Sequence, residues 1–179
     1  MDTSELEHFL RLSKCDSKKI QVLACDQLPT GKCLPIGSTV IANLSPISSN
    51  GSHWCLFHTP SVMHPDFHCG EKTLLWFDSL GIVHRDFYPQ FAKFLKNYTL
   101  LLSNDGSPVQ EVDRYSESCG MFCLYVATKL CEGSSFQRIL SEFDTCNLNF
   151  NECMILERLN NRFKTDKFNK YEGCRNKKE

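Results

Sequence analysis

Nowhere in the 179 residues is there an apolar run close to the ~18 needed to cross a membrane, so no spanning helix is expected. The first thirty residues carry charges throughout and lack the apolar centre of a secretory signal, so secretion is not expected either. No CxxC pair occurs among the eleven cysteines, and an odd number argues against a closed disulfide framework. Reduced thiols in the cytosol or nucleus follow. Charge is balanced, with 20 Lys and Arg against 21 Asp and Glu, which neither demands nor excludes a nucleic-acid partner. Only Lys164 to Lys178 is locally basic, and 164–179 reads as a solvated basic tail. Neither a repeat nor a linker interrupts the chain. One domain over 1–179 is expected, long enough to bury a core without staples.

Hydrophobic periodicity supplies the elements. Ser4-Glu5-Leu6-Glu7 reads as a capping box, and Leu6, Phe9, Leu10 and Leu12 extend an amphipathic helix to about Ser13. Short strands are expected at Gln21–Cys25 and Ser38–Leu44, followed by a polar loop from Ser45 to Ser52. His53 to His58 is an aromatic-rich strand whose alternation puts His53, Cys55 and Phe57 on one face and Trp54, Leu56 and His58 on the other. Lys72 to Asp78 is a nearly continuous apolar strand that ends on a carboxylate before the turn-like Ser79-Leu80-Gly81. Beyond it come a helix from Phe87 to Asn97, a buried strand from Tyr98 to Leu102, a turn at Asn104-Asp105-Gly106 and a short edge strand from Pro108 to Asp113. Two further helices are expected at Ser134–Phe143 and Asn151–Phe163.

The rest of the chain is organised around Ser116 to Leu130. From Cys119 onward about ten residues are apolar on every side, too long for an ordinary strand, and so read as a buried helix. Ser116 and Ser118 are candidate N-caps. Cys119 then falls in the first turn, where unpaired N–H groups and the helix dipole can lower a thiol pKa from ~8.5 to ~3.5–7.5. Gly120 lets a substrate backbone approach. Two small core cysteines one turn apart, Cys119 and Cys123, are the plainer reading of the same stretch.

His53, Asp78 and Cys119 stand at the ends of three separate apolar elements. A cysteine hydrolase needs that set: the imidazole takes the thiol proton and returns it to the leaving amine, and the carboxylate fixes the ring's tautomer and orientation.

Ser52-His53-Trp54, then Trp76-Phe77-Asp78-Ser79-Leu80-Gly81, then Val109-Gln110 ahead of Ser116-Glu117-Ser118-Cys119-Gly120-Met121-Phe122-Cys123 resemble the adenovirus-type maturation proteases, the adenains. The similarity runs from Leu6 to the Cys119 helix. It includes Ala24-Cys25-Asp26-Gln27-Leu28-Pro29, which looks like adenain relatives in large DNA transposons and small vertebrate DNA viruses. The resemblance implies an α+β domain in which a papain-like catalytic core occurs in permuted chain order. A central mixed sheet would carry flanking helices, with the nucleophile at the N-terminus of a buried helix. It also implies a cysteine endopeptidase that processes viral capsid or core precursors during virion maturation, in the host nucleus and the virion. Position by position, His53 matches the general base, Cys119 the nucleophile and Asp78 the orienting carboxylate, which is Glu in adenain and Asp in SUMO-type deconjugases.

The chain departs from the family at two points. The oxyanion-hole Gln usually stands six or seven positions before the Cys, where this chain has Asp113 and Val112. Gln110, nine positions before, is the candidate in place of Asp113, because an amide donates to a developing oxyanion whereas an ionised carboxylate repels it. In adenain an activating viral peptide can disulfide-bond to a Cys roughly ten residues before that Gln. Here Thr99 occupies about that place and no Cys lies between Cys69 and Cys119, so an activating peptide would be noncovalent. DNA is a further activator by analogy alone, and the chemistry itself requires no cofactor. A deconjugase for a ubiquitin-like modifier is the rival enzyme reading, and an inactive, binding-only protease descendant the rival outside enzymes. The cluster His53, Cys55, His58, His64, His68 and Cys69 raises a zinc site, but without a paired CxxC no metal is expected.

Overall fold

The computed structural model describes residues 1–13, 19–83, 88–111 and 118–171. Five strands form one sheet in sequential order: β1 (Ile20–Ala24), β2 (Thr39–Asn43), β3 (Trp54–His58), β4 (Thr73–Asp78) and β5 (Leu100–Ser103). The inner pairs, β2 with β3 and β3 with β4, are antiparallel. The outer pairs, β1 with β2 and β4 with β5, are parallel. β2, β3 and β4 are buried along their whole length, which is why they read as continuous apolar runs. The class is α+β, a central mixed sheet flanked by helices.

Period-two alternation divides the core into two layers. Ile41, Trp54, Leu56, Leu75 and Phe77 face the main helical layer, formed by α1 (Thr3–Leu12), α3 (Cys119–Cys131), α4 (Phe136–Leu140) and α5 (Leu148–Phe163). Val40, Ala42, Cys55, Phe57, Leu74 and Trp76 face a smaller layer built from Leu28, Leu34, Tyr88, Phe91, Phe94, Leu95 and Tyr98. Phe57 is edge-on to both Phe91 and Phe94 there, with centroids 5.0 Å away in each case. α3 is apolar on all sides because it lies between the sheet and the other helices, and its residues from Cys119 to Thr128 are all buried.

Several local expectations shift. The cap of α1 is Asp2, not Ser4: Asp2 Oδ1 accepts from the Glu5 N–H and Glu5 Oε2 accepts from the Asp2 N–H, a capping box two residues earlier. The expected helix at 87–97 is instead a 3-10 turn, Pro89–Phe91, running into the single α turn α2 (Ala92–Leu95); Phe87 lies outside the described residues. Residues 108–111 are not a strand. The Val109 and Gln110 N–H groups both donate to the Ser79 carbonyl at 2.9 Å, so this segment crosses the end of the sheet rather than lengthening its edge. Residues 112 and 113 lie outside the described residues. α4 is shorter than expected, capped by Ser135, and α5 begins three residues earlier, capped by Asn147.

The start of the basic segment does not stand off in solvent. Lys167–Tyr171 forms a 3-10 turn that sets Phe168, fully buried, against Phe9 of α1 and Phe163 of α5. Lys170 pairs with Glu5 on α1.

Candidate active site

The ends of β2, β3, β4 and β5, with the start of α3, meet at one end of the sheet. Asn43 closes β2 there, and its Oδ1 accepts from the N–H groups of Ser45 and Ser52, tying down the polar loop that delivers His53. The His53 carbonyl accepts from the Leu44 N–H at 2.9 Å, which sets the entry into β3.

Asp78 is the last residue of β4 and is fully buried. A buried carboxylate is costly unless its oxygens are hydrogen-bonded, and here both are. Oδ1 accepts from His53 Nε2 at 2.8 Å and from the Leu80 N–H at 2.9 Å. Oδ2 accepts from the Tyr88 hydroxyl at 2.7 Å and lies 3.7 Å from Cys55 Sγ. Asn104 fixes the backbone of the same residue: its Oδ1 accepts from the Asp78 N–H at 3.0 Å and its Nδ2 donates to the Asp78 carbonyl at 2.6 Å. The turn that follows needs glycine. Gly81 has φ +67°, and a Cβ there would lie 2.6 Å from the Pro108 nitrogen.

With Nε2 bonded to Asp78, Nδ1 is the ring nitrogen left for a thiol, and Cys119 stands beside the ring as the first residue of α3. Burial opposes charge on His53. The Asp78 hydrogen bond and charge, with the adjacent Cys119, outweigh burial and raise its pKa to about 10. The ring is therefore an imidazolium at neutral pH. Burial and the Asp78 charge likewise push the Tyr88 phenol well up, so it serves as a donor across the working pH range.

His53, Asp78 and Cys119 are thus brought together. Gln110 is buried and tied to the residue after Asp78: its Oε1 accepts from Ser79 Oγ at 2.6 Å. Asp113 and the candidate cap Ser116 lie outside the described residues. Ser118 is the N-cap of α3, with helical φ and ψ and no side-chain capping bond; its hydroxyl donates instead to buried Glu152 on α5 at 2.7 Å. Trp54 packs in the core beside Cys119, and its indole N–H donates to the Met1 carbonyl at 3.0 Å.

Tyr88, Asn104, Ser79 and Glu152 are the supporting residues that sequence reasoning missed. Only Asn104 carried a signal, as a polar residue opening a turn directly after a buried strand. Nothing in the order of residues pairs Tyr88 with Asp78 or Glu152 with Ser118.

The six His and Cys residues weighed as a zinc site do not converge. His58 sits at the opposite end of β3 from His53, with Nδ1 on Thr39 Oγ1 at 2.8 Å and its ring 5.2 Å from that of His64. His68 holds the Asp66 carbonyl, and Cys69 is exposed. Among the described residues, the group close enough to share a cation is His53, Cys55 and Asp78, whose ligand atoms lie within 4.8 Å of one another. Burial and the Asp78 charge push the Cys55 thiol well up, which keeps it protonated and opposes its use as a metal ligand.

A cysteine sulfur, an imidazole ring and a buried carboxylate in this relation can hold one proton between sulfur and ring and deliver it to a leaving group. No protein-family model matches the chain and no curated protein matches it.

Proposed function

We propose that this protein is a cysteine endopeptidase in which Cys119 is the nucleophile, His53 the acid and base, and Asp78 the orienting carboxylate. The observation that carries the reading is the 2.8 Å bond from His53 Nε2 to the fully buried, fully partnered Asp78, with Cys119, at the start of a buried helix, beside the same ring. A structural ion pair would not need a thiol beside the second ring nitrogen.

In this mechanism the Cys119 sulfur attacks the scissile carbonyl, and the oxyanion is held by the Cys119 N–H at the helix start and the NH2 end of Gln110. His53 then gives its proton to the leaving amine, which departs and leaves a thioester. Water attacks that thioester with His53 as base, releasing the acid product and restoring the free sulfur with the one shared proton back on the ring. Asp78 remains ionised and keeps Nε2–H pointed at itself, so that Nδ1 carries the exchanging proton.

The substrates we assign are viral structural precursor proteins, on the strength of the adenain resemblance. An activating peptide, held noncovalently, and DNA are the accessory partners that resemblance suggests. The test is cleavage of a mixed peptide library by the wild-type protein and by Cys119→Ala, with and without DNA and assembly-stage viral peptides, with products read by mass spectrometry. Cutting by wild type alone, at small-residue motifs, is the expected result. Cutting confined to Gly-Gly tails would move the protein to the deconjugases, and no cutting by folded protein under any condition would refute the peptidase reading.

A further inference from the structure

The residue after Cys119 and the residue after His53 are both in contact with Met1. A Cβ on Gly120 would lie 2.9 Å from Met1 Cβ, 3.4 Å from Met1 Cγ and 3.3 Å from Trp54 Cδ1, so the Met1 side chain rests directly on the Gly120 backbone beside the indole. The Met1 carbonyl takes the Trp54 Nε1–H at 3.0 Å. The side chain is partly buried against the main core. One residue of polypeptide is therefore held as a ligand would be, by a main-chain hydrogen bond and an apolar contact, between the two elements that carry the reacting groups.

We propose that Trp54 and Gly120 form a substrate subsite for an unbranched apolar residue, that Met1 fills it in the resting protein, and that a peptide substrate binds by displacing Met1. This rests on the peptidase reading for the word substrate. Three features support it. Cys119 and Trp54 are each 7% exposed, so the two are largely covered with Met1 in place. Gly120 has no side chain, and any other residue would occupy the space that Met1 takes. Finally, Met1 is held in place by α1, whose Leu6, Phe9 and Leu10 are buried in the core, so its local concentration at the subsite is high. Release does not require α1 to unfold. Asp2, the N-cap, has extended φ and ψ outside the helix, so Met1 can leave at the cost of the Asp2 N–H bond to Glu5 while Asp2 Oδ1 keeps its bond from the Glu5 N–H.

The test uses the full chain carrying Cys119→Ala, methyl-labelled at its 4 methionines, and the probe peptide Ac-Ala-Gly-Met-Ala-Gly-NH2 at millimolar concentration. Met1→Gly, initiated from an upstream leader that is then removed, identifies the Met1 methyl signal as the one it loses. The peptide should move that signal to the position of a free methionine side chain, and Met1→Gly should bind the peptide about tenfold more tightly, because the open state is no longer the minor one. A Met1 signal that stays put while peptide binds, equal affinity in the two proteins, or no binding by Met1→Gly would each overturn the subsite. Failure of the two readings is separable. Hydrolysis by wild type with Met1 unmoved refutes the subsite alone, whereas displacement of Met1 with no hydrolysis by wild type refutes the peptidase alone.

Discussion

Cys55 and Asp78 lie opposite each other across the β3–β4 ladder, and this register sets the site. Opposed residues share a face, and His53, two positions before Cys55, shares it too. The imidazole and the carboxylate are therefore on the face of the smaller aromatic layer, while α3 packs on the other face. They meet Cys119 only because all three stand where the strands end. A slip of one residue between β3 and β4 would turn Asp78 away from His53.

Tyr88 and Asn104 both hold Asp78, one through its carboxylate and the other through its backbone. Tyr88→Phe removes the donor to Oδ2 and leaves a buried carboxylate oxygen short of a partner, a cost of about 1–3 kcal/mol. A loosened carboxylate misplaces the ring, so kcat should fall roughly tenfold or more with KM little changed. Steady-state kinetics and urea unfolding check both. Unchanged kcat in Tyr88→Phe would show that the hydroxyl is only a packing neighbour.

The alkaline limb of kcat/KM should report His53 losing its proton near pH 10, as an apparent value belonging to the coupled site. In Asp78→Asn that limb should move to lower pH, since the charge that holds the proton is gone. The same shift bears on stability. A pKa raised from 6.5 to about 10 on folding gives a contribution fully present below pH 6.5 and lost as pH rises through about 10. A limb that does not move in Asp78→Asn would sever His53 from Asp78 functionally.

How far these relations could be read from the sequence depends on their range. Local patterns worked: the alternation along His53–His58 puts Cys55 and Phe57 in one layer and Trp54 and Leu56 in the other. The all-round apolar run after Cys119 is a helix covered on every side, with Cys119 at its first position. Long-range pairings did not. The separation of 10 positions from Asp78 to Tyr88, or of 34 from Ser118 to Glu152, says nothing of their hydrogen bonds, because tertiary packing makes those contacts. Residues 108–111 read as a strand because alternation resembles one even where two N–H groups turn to a single carbonyl at a sheet end. The basic segment hid Phe168, a lone aromatic among lysines, which docks because α1 and α5 leave a place for it.

His58 is buried neutral, and burial first, then the neighbouring His64, lowers its pKa to about 3. The unfolded chain binds that proton near 6.5, so this contribution is full above pH 6.5 and falls by about 1.4 kcal/mol for each unit below it. His58→Gln should flatten the acid side of the stability curve measured by urea unfolding between pH 6.5 and 4. An equally steep loss in the variant would place the acid sensitivity elsewhere.

Phe168→Ala should cost about 3–5 kcal/mol, the range for emptying a buried aromatic site. Residues 167–171 should then become open to protease under native conditions. A change below 1 kcal/mol, with no new cleavage there, would mean that this turn is not docked in solution.

The most direct test of the central claim is which cysteine iodoacetamide labels first at pH 6.5, read by peptide mass spectrometry. An imidazolium beside a thiol is the arrangement that makes sulfur reactive at neutral pH. Cys119 should therefore lead, ahead of exposed Cys69, Cys131, Cys146 and Cys153, and its lead should vanish in His53→Ala. Faster labelling of the exposed cysteines in the wild-type protein, or a Cys119 rate indifferent to His53→Ala, would contradict the account.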